Sequence, residues 1–504
     1  MASSRHARSA SRAVRTSADA RGSRQSHRTA TNNFERTALI VFLGLILWAP
    51  VPLGSNRAWA WGLLEAGIFL AAALWLCSWM RGEVELPPAF RHAFPGLLVF
   101  AAWLLYLGLQ ILPLPAEWVN VLSPQAAALH RLGAGGDDAH RLMTLSIEPH
   151  ASSVFWLKSC AYVAGFALTL LLARNRQRLM VIAYTLVLSG LLQAVYGGLM
   201  YLWGLDIVLF GTPIPHSDSA RGGFVNRNHL AGLLELTIPV GIGLVIANLK
   251  DTTPRSWRRV VRDTAVLILS PKAPLRLFLI VMVIALVMTR SRMGNSAFFF
   301  SLIAAGVTGL VLSRHATRST VILLTSLIII DVFIVGAWFG VEKTVQRIQQ
   351  TTTHDVEERV DPSGYALDIF RDFPWFGSGG GTFYTAFSRY RGEDILPFFD
   401  HVHNDYVQFL TDTGAIGAGL VSISVLMAFV AAVLAQSRRR DPLARGMSFA
   451  VVMGIFSLGL HSTVDFNLQI PANAFVFMII LAFGWLSLFL DRHPAAAGDV
   501  RRGP

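Results

Sequence analysis

Twelve apolar stretches, each long enough to cross the ~30 Å hydrocarbon core of a bilayer, leave this chain few choices of fold. They fall at residues 37–53, 58–80, 94–112, 153–173, 179–203, 229–249, 275–290, 296–313, 319–339, 406–435, 446–462 and 472–490. Inside a bilayer only helices and closed barrels satisfy their own backbone hydrogen bonds, and runs of this length and continuity point to helices. Of the 504 residues 53% are hydrophobic and only 15% charged, too few to clothe a water-soluble globule. The expected fold class is therefore all-α, a polytopic membrane protein with about 12 transmembrane helices.

The basic residues set the orientation. Residues 1–36 are rich in Arg, Ser and Ala, with no apolar core of a signal peptide, and read as a disordered basic cytoplasmic tail. With that tail inside, the inner connections and tails carry 29 Lys and Arg and the outer ones 13, with Lys158 left inside a helix. This is the bias expected of cytoplasmic loops, and residues 491–504 become a second cytoplasmic tail. The net charge of +12 thus reflects membrane topology, and no nucleic-acid partner is inferred. Cys77 and Cys160 both lie in apolar runs and offer neither a disulfide framework nor a thiolate metal site.

Two outer segments, 113–152 and 340–405, are too long to be plain connectors. The second contains DFPWFGSGGGTFYTAF and is expected to fold as a cap. Its glycines Gly377, Gly379, Gly380 and Gly381 lack the Lys-Ser/Thr ending of a phosphate loop and read as a turn.

Four polar clusters fall on the outer side. In RGGFVNRNHLAG, a glycine pair turns the chain between Arg221 and the start of the sixth helix, where Asn226, Arg227, Asn228 and His229 gather. A helix N-terminus beside a guanidinium suits a phosphate oxygen. The plainer alternative has Asn228 capping the helix and arginine reaching headgroups, which is preferred for Arg227, whereas Arg221 is read as functional. In MTRSRMGNS, Arg290 and Arg292 occupy a short outer turn where positive charge is disfavoured, so an anionic ligand and a plain headgroup-contacting turn weigh evenly. In HVHNDYVQFLTDTGAIG, His403 and Asn404 precede a helix on which Asp405, Gln408 and Asp412 form one polar stripe, with Val407, Leu410 and Ile416 facing outward. Imidazole takes a proton near neutrality, so a base role fits His403. In GLHSTVDFNLQIPANAF, His461 and Asp465 stand four apart and are expected to pair on a continuous helix as supporting residues. Glu65 and Asp331 are the main acids within the apolar stretches. No HExxH or CxxC spacing occurs, and no metal or cofactor is assigned.

The order of these residues resembles a known family. His403-Asn404, nine residues, Gly414, two residues, Gly417 resembles the signature of the O-antigen ligase and polymerase superfamily; RGGFVNRNHLAG and TRSRMG are similar to two further segments of it, with Met293 interposed before Gly294. The likeness covers roughly residues 200 to 435, and the first 200 residues share only hydropathy. It implies a metal-independent membrane glycosyltransferase of the GT-C type, with residues 37–490 as its domain. Such an enzyme moves a glycan from undecaprenyl pyrophosphate to an acceptor hydroxyl on the periplasmic face of the bacterial inner membrane. On this sequence His403 would be the catalytic base and Arg221 and Arg292 would hold the donor pyrophosphate, with Asn228, Asn404, Asp405, His461 and Asp465 supporting them. The partners implied are the undecaprenyl-pyrophosphate-linked glycan, a lipid A-core or glycan acceptor, and the bilayer.

Within the superfamily the activities that share these motifs are lipopolysaccharide O-antigen ligation, O-antigen or exopolysaccharide polymerisation and protein O-glycosylation. A transporter or flippase for lipid-linked glycan is the alternative from another class. It would place its ionisable groups nearer the bilayer midplane and show interrupted helices or paired halves.

Overall fold

The computed structural model of this chain describes residues 33–134, 142–205, 209–210, 219–248, 273–312, 325–326, 329, 353–392 and 399–490. Its helices are α1 (Asn33–Trp48), α2 (Ala58–Met80), α3 (Pro88–His92), α4 (Phe94–Ile111), α5 (Ala116–Leu122), α6 (Pro124–Ala134), α7 (Pro149–Leu172) and α8 (Arg176–Trp203). They continue with α9 (Arg227–Asn248), α10 (Ala273–Met288), α11 (Arg292–Leu312), α12 (Thr353–Asp372), α13 (Phe383–Tyr390), α14 (Asp405–Arg438), α15 (Pro442–His461) and α16 (Pro471–Phe489). The described strands are β1 (Leu114–Pro115) and β2 (Leu142–Met143), an antiparallel pair. The protein is an all-α multi-pass membrane protein.

Among the described residues eight helices, α2, α4, α7, α8, α9, α14, α15 and α16, are long and apolar enough to span a bilayer. Helices α1, α10 and α11 occupy three more of the apolar stretches; α1 and α10 have 16 residues each and fall short of a full span on length. The stretch at 319–339, and Asp331 with it, lies outside the described residues apart from positions 325, 326 and 329. Elsewhere the apolar runs locate the helices to within about five residues.

Burial separates centre from rim. The apolar windows of α9 and α16 are 89% and 83% buried, against 28% for α14 and 33% for α2 and α4. The rim turns large apolar side chains outward, Leu105 at 76% exposed and Leu63, Leu98 and Leu426 all above half. In water such a surface would drive aggregation; against lipid tails it costs nothing.

Without water to squeeze out, helices in lipid associate through close packing of small residues. At the crossing of α9 and α15, Gly243 and Gly446 meet so closely that a Cβ on either would overlap the carbonyl oxygen of the other. Both glycines are there because backbone touches backbone.

The helix ends sort into two sets. At one end Glu35, wholly buried in the first turn of α1, pairs with Arg178 at 2.6 Å and Arg174 at 3.3 Å. Arg176 meets Asp441 at 2.5 Å, and Arg439 donates to the carbonyls of Leu488 and Leu490. Burial lowers the Arg174 pKa against the opposing pull of Glu35. This is the arginine-rich end expected to face the cytoplasm.

Beyond the other end, the two long segments share a small core: Leu114, Val119 and Met143 from one pack with Ile369, Phe373, Phe383 and Val402 from the other. The described residues 366–387 thus belong to a folded cap, and 114–127 and 143–147 complete it.

Replacing Gly243 by Val should destabilise the protein by about 1–3 kcal/mol, because the two helices must part or a side chain must leave its rotamer. Valine at Gly62, which has nothing within 4 Å of an added Cβ, should leave the melting temperature in detergent unchanged. Equal melting temperatures for the two variants would contradict the close crossing.

Candidate functional site

The first cluster folds as its glycines dictate. Gly222, at φ +58°, turns the chain against α8, and the Gly223 N–H donates to Gln193 Oε1 at 2.7 Å. A Cβ on Gly223 would strike the carbonyl of Pro50, so this turn fits only without side chains. Arg221 is half-buried; its Nη1 approaches the Val225 carbonyl at 3.4 Å, and its buried Nε has no hydrogen-bond partner among the described residues. The Ala220 N–H donates to the Met288 carbonyl at 2.9 Å, which seats this segment against the end of α10.

The second cluster begins one residue later. Arg290 adopts φ +54°, and its guanidinium donates to the Tyr201 hydroxyl at 2.9 Å while lying 5.6 Å from the ring centroid. Arg292 is exposed at the first position of α11. The two arginines thus part company: one folds back onto α8, the other stands at a helix N-terminus. Gly294 brings α11 onto α9, where its Cβ would meet Ala231 and Glu235.

At the start of α9 the cap is Asn226, whose side-chain oxygen accepts from the Asn228 N–H at 2.9 Å. Asn228 is therefore not the cap. Its amide instead donates to Asp465 Oδ2 at 2.5 Å, and the buried His229 imidazole lies 3.5 Å from Asp465 Oδ1. Burial alone would raise the Asp465 pKa, yet the adjoining imidazoles of His229 and His461 and the Phe466 N–H hold it well below the usual carboxylate range.

His461 and Asp465 do approach each other, but not along a continuous helix. Helix α15 ends at His461, Asp465 lies in the following loop, and Nε2 of His461 is 4.0 Å from Asp465 Oδ2. The main partner of His461 is Glu235 on α9, at 2.8 Å from Nδ1, with Ser457 donating to the other carboxylate oxygen at 3.0 Å. Glu235 and His461 are both fully buried. Glu235 lies in a stretch that otherwise reads as apolar packing, and only the fold reveals its partner.

In the third cluster Asn404 caps α14 by accepting from the Val407 N–H at 3.1 Å, and its amide reaches the Thr463 carbonyl at 3.0 Å. Asp405, Gln408 and Asp412 are all buried, as the stripe implies, while Ile416 is turned outward. Asp405 accepts from the Ser462 hydroxyl at 2.8 Å, the Leu468 N–H at 3.0 Å and the Gln469 amide at 3.3 Å. Its own N–H donates to the carbonyls of Ser462 and Asp465. His403 sits just before, half-buried, with φ +58°, a backbone state that a side chain disfavours. Its ring meets Phe466 edge-on at 4.7 Å and Phe399 at 5.9 Å.

His401 is differently employed. It stacks on Phe466 at 4.5 Å and hydrogen-bonds Gln408, and burial pushes its pKa down to about 4 against the pull of Asp400. The neutral ring accepts from the Gln408 amide at 2.9 Å and packs as a wall.

The glycines of the motif have a mechanical reason. Gly414 breaks α14 at φ +63°, and a Cβ there would run into the Trp375 carbonyl; the turn at Gly377, Gly379 and Gly381 docks into that break. The Tyr106 hydroxyl donates to the Thr413 carbonyl at 2.5 Å, and Gln110 donates to the Phe376 carbonyl at 2.6 Å. Gly381 N–H reaches Asp412 Oδ2 at 3.2 Å. The glycine run is thus a docked turn, and Gly417 keeps α14 small where it meets the Tyr106 ring.

These contacts join the four clusters at one end of the bundle, away from the Glu35 arginines. The segment bearing Arg221 lies on α10, α11 on α9, the start of α9 on the Asp465 loop, and that loop on the start of α14. The comparison with curated proteins finds no match. The O-Antigen ligase family model matches residues 277–422, which include Arg290, Arg292, His403, Asn404 and both glycines of the α14 motif; Arg221, His461 and Asp465 lie outside it. The likeness is confined to residues 277–422, and over that segment this multi-pass membrane protein is similar to the O-antigen ligase family.

Proposed function

We propose that the protein transfers a glycan from undecaprenyl pyrophosphate to an acceptor hydroxyl at the extracytoplasmic face of a bacterial inner membrane, in the manner of an O-antigen ligase with lipid A-core as acceptor. The observation that carries this reading is the meeting, at one bundle end, of the elements bearing Arg221, Arg292 and His403, beside a segment that matches the O-antigen ligase family.

The chemistry divides naturally. The acceptor oxygen forms a bond to the anomeric carbon and gives its proton to the His403 imidazole. The bond from that carbon to the phosphate oxygen breaks, and its electron pair leaves with undecaprenyl pyrophosphate. Negative charge therefore grows on the leaving group, and guanidiniums stabilise it there, most strongly where water is scarce. The buried Nε of Arg221, without a partner among the described residues, and the position of Arg292 at the first turn of α11 both favour an anion. Arg290, held by Tyr201, is assigned to shaping the turn, so Arg292 takes the donor role. In this scheme no divalent metal is required. Asn404 and Asp405 hold the backbone beside His403, and Asn228, His461 and Asp465 hold the neighbouring loop.

Replacing His403 by Ala should lower glycan transfer by at least about 100-fold, the loss expected when a general base is removed, while membrane insertion and melting temperature stay unchanged. Normal transfer by this variant would exclude the base assignment. Lysine at Arg221 or Arg292 keeps the charge but loses the two-pronged contact. Each variant should bind an undecaprenyl-pyrophosphate-linked glycan about 10-fold more weakly or worse, a difference of about 1.4 kcal/mol. Unaltered donor affinity in both variants would remove the phosphate role.

Incubating the purified protein with the lipid-linked glycan and a panel of acceptors identifies the activity. Sugar gained by lipid A-core makes it a ligase, sugar gained by a second lipid-linked glycan a polymerase, and sugar gained by a protein an O-oligosaccharyltransferase. Movement of the donor without release of undecaprenyl pyrophosphate would make it a transporter.

A further inference from the structure

The loop between α15 and α16, residues 462–470, lies outside the segment that matches the family, yet it touches the proposed base from two directions. We propose that this loop is the positioning element for His403, and that Phe466 sets the orientation of its ring. The inference rests on the assignment of His403 as the base.

One hold is on the backbone. Asn404 and Asp405, the two residues after His403, both make polar contacts with this loop: Asn404 to Thr463, Asp405 to Ser462, Leu468 and Gln469, and the Asp405 N–H to Ser462 and Asp465. His403 is consequently kept at φ +58°. A non-glycine residue persists in that state only when its surroundings over-determine it.

The other hold is on the ring. Phe466 is buried at 7% exposure, and three imidazoles surround it: His401 stacked at 4.5 Å, His229 edge-on at 4.7 Å and His403 edge-on at 4.7 Å. A rigid aromatic face restricts His403 to fewer orientations than a flexible side chain of similar volume. The loop is itself fastened. Phe466 N–H donates to Asp465 Oδ1 at 2.8 Å, Asn228 holds the other oxygen of that carboxylate, and the last turn of α15 is pinned by the buried His461–Glu235 contact. The chain of contacts thus runs from the core of the bundle to the ring that takes the proton.

Phe466→Leu tests the ring, and Phe466→Met serves where Leu is not tolerated, since both bury apolar volume without an aromatic face. In the full-length protein with undecaprenyl-pyrophosphate-linked glycan as donor, kcat should fall about 10–100-fold, as misplacement of a reacting group by about 1 Å does. The KM for the donor should change by less than about threefold, because Arg221 and Arg292 are untouched. Phe466→Tyr should recover most of the rate. Independently of activity, the ring signal of His403 in protein carrying isotope-labelled histidine, assigned by its loss in His403→Asn, should move in Phe466→Leu. The signal of His130, which bonds Thr144 and Ser146 in the cap, should not.

An unchanged His403 signal with unchanged kcat overturns the proposal. So does a loss of melting temperature and donor affinity together with an unmoved His403 signal, which would make Phe466 a packing residue only. Full activity of His403→Ala would instead overturn the base assignment, and the His403 signal in Phe466→Leu would still report whether the loop orients that ring.

Discussion

The carboxylate of Asp405, closed off from solvent at 1% exposure, is the junction on which the polar end of this molecule depends. It joins the beginning of α14 to the loop that follows α15, and every donor it accepts from belongs to that loop. A buried carboxylate left without donors is costly, and each orphaned donor adds about 1–3 kcal/mol. The two chain segments, 57 residues apart at their Ser462 contact, therefore stay together because neither can satisfy its polar groups alone. Asn404, His403 and Phe466 take their places from that junction.

The same reasoning extends outward. Asp465 is satisfied by Asn228 and faces His229 and His461; Glu235 faces His461 and Ser457. Each carboxylate has a basic or donor neighbour from a different helix. Such networks are expensive to break in a medium that offers no water, and here they tie α9, α15 and the start of α14 into one rigid frame. Arg221 and Arg292 differ from these residues. They border the frame, one half-buried and one exposed, as side chains must if a large anionic lipid is to reach them.

Most of the helical layout was legible because lipid imposes a single rule on every spanning segment, and a run such as Ala58–Met80 meets it without help from neighbours. The four polar clusters were legible for the same reason, since Arg290 or His403 has no cause to interrupt an apolar sequence unless a site or a partner accounts for it. Pairing was not legible. Glu235 lies 226 residues from His461, and Asn228 lies 237 from Asp465; such contacts arise from how helices cross, which the local pattern does not contain. At Asp465 the four-residue spacing did indicate the neighbour, His461 at 4.0 Å, but not the path, because the helix stops at His461. Nothing local marked Phe466, and Gly414 gave no sign that a turn from the cap would lodge in a broken helix. Asn228 looked like a cap, and Asn226 fills that role.

The functional reading requires Arg221, Arg292 and His403 to open to the extracytoplasmic side together. Single cysteines at these positions, in a chain with Cys77 and Cys160 replaced, can be probed in intact cells whose outer barrier has been removed, using a thiol reagent that does not cross the inner membrane. All three should react from outside, whereas a cysteine at Ser437, near the far end of α14, should react only once the membrane is opened. Labelling of any of the three solely after permeabilisation would contradict the account.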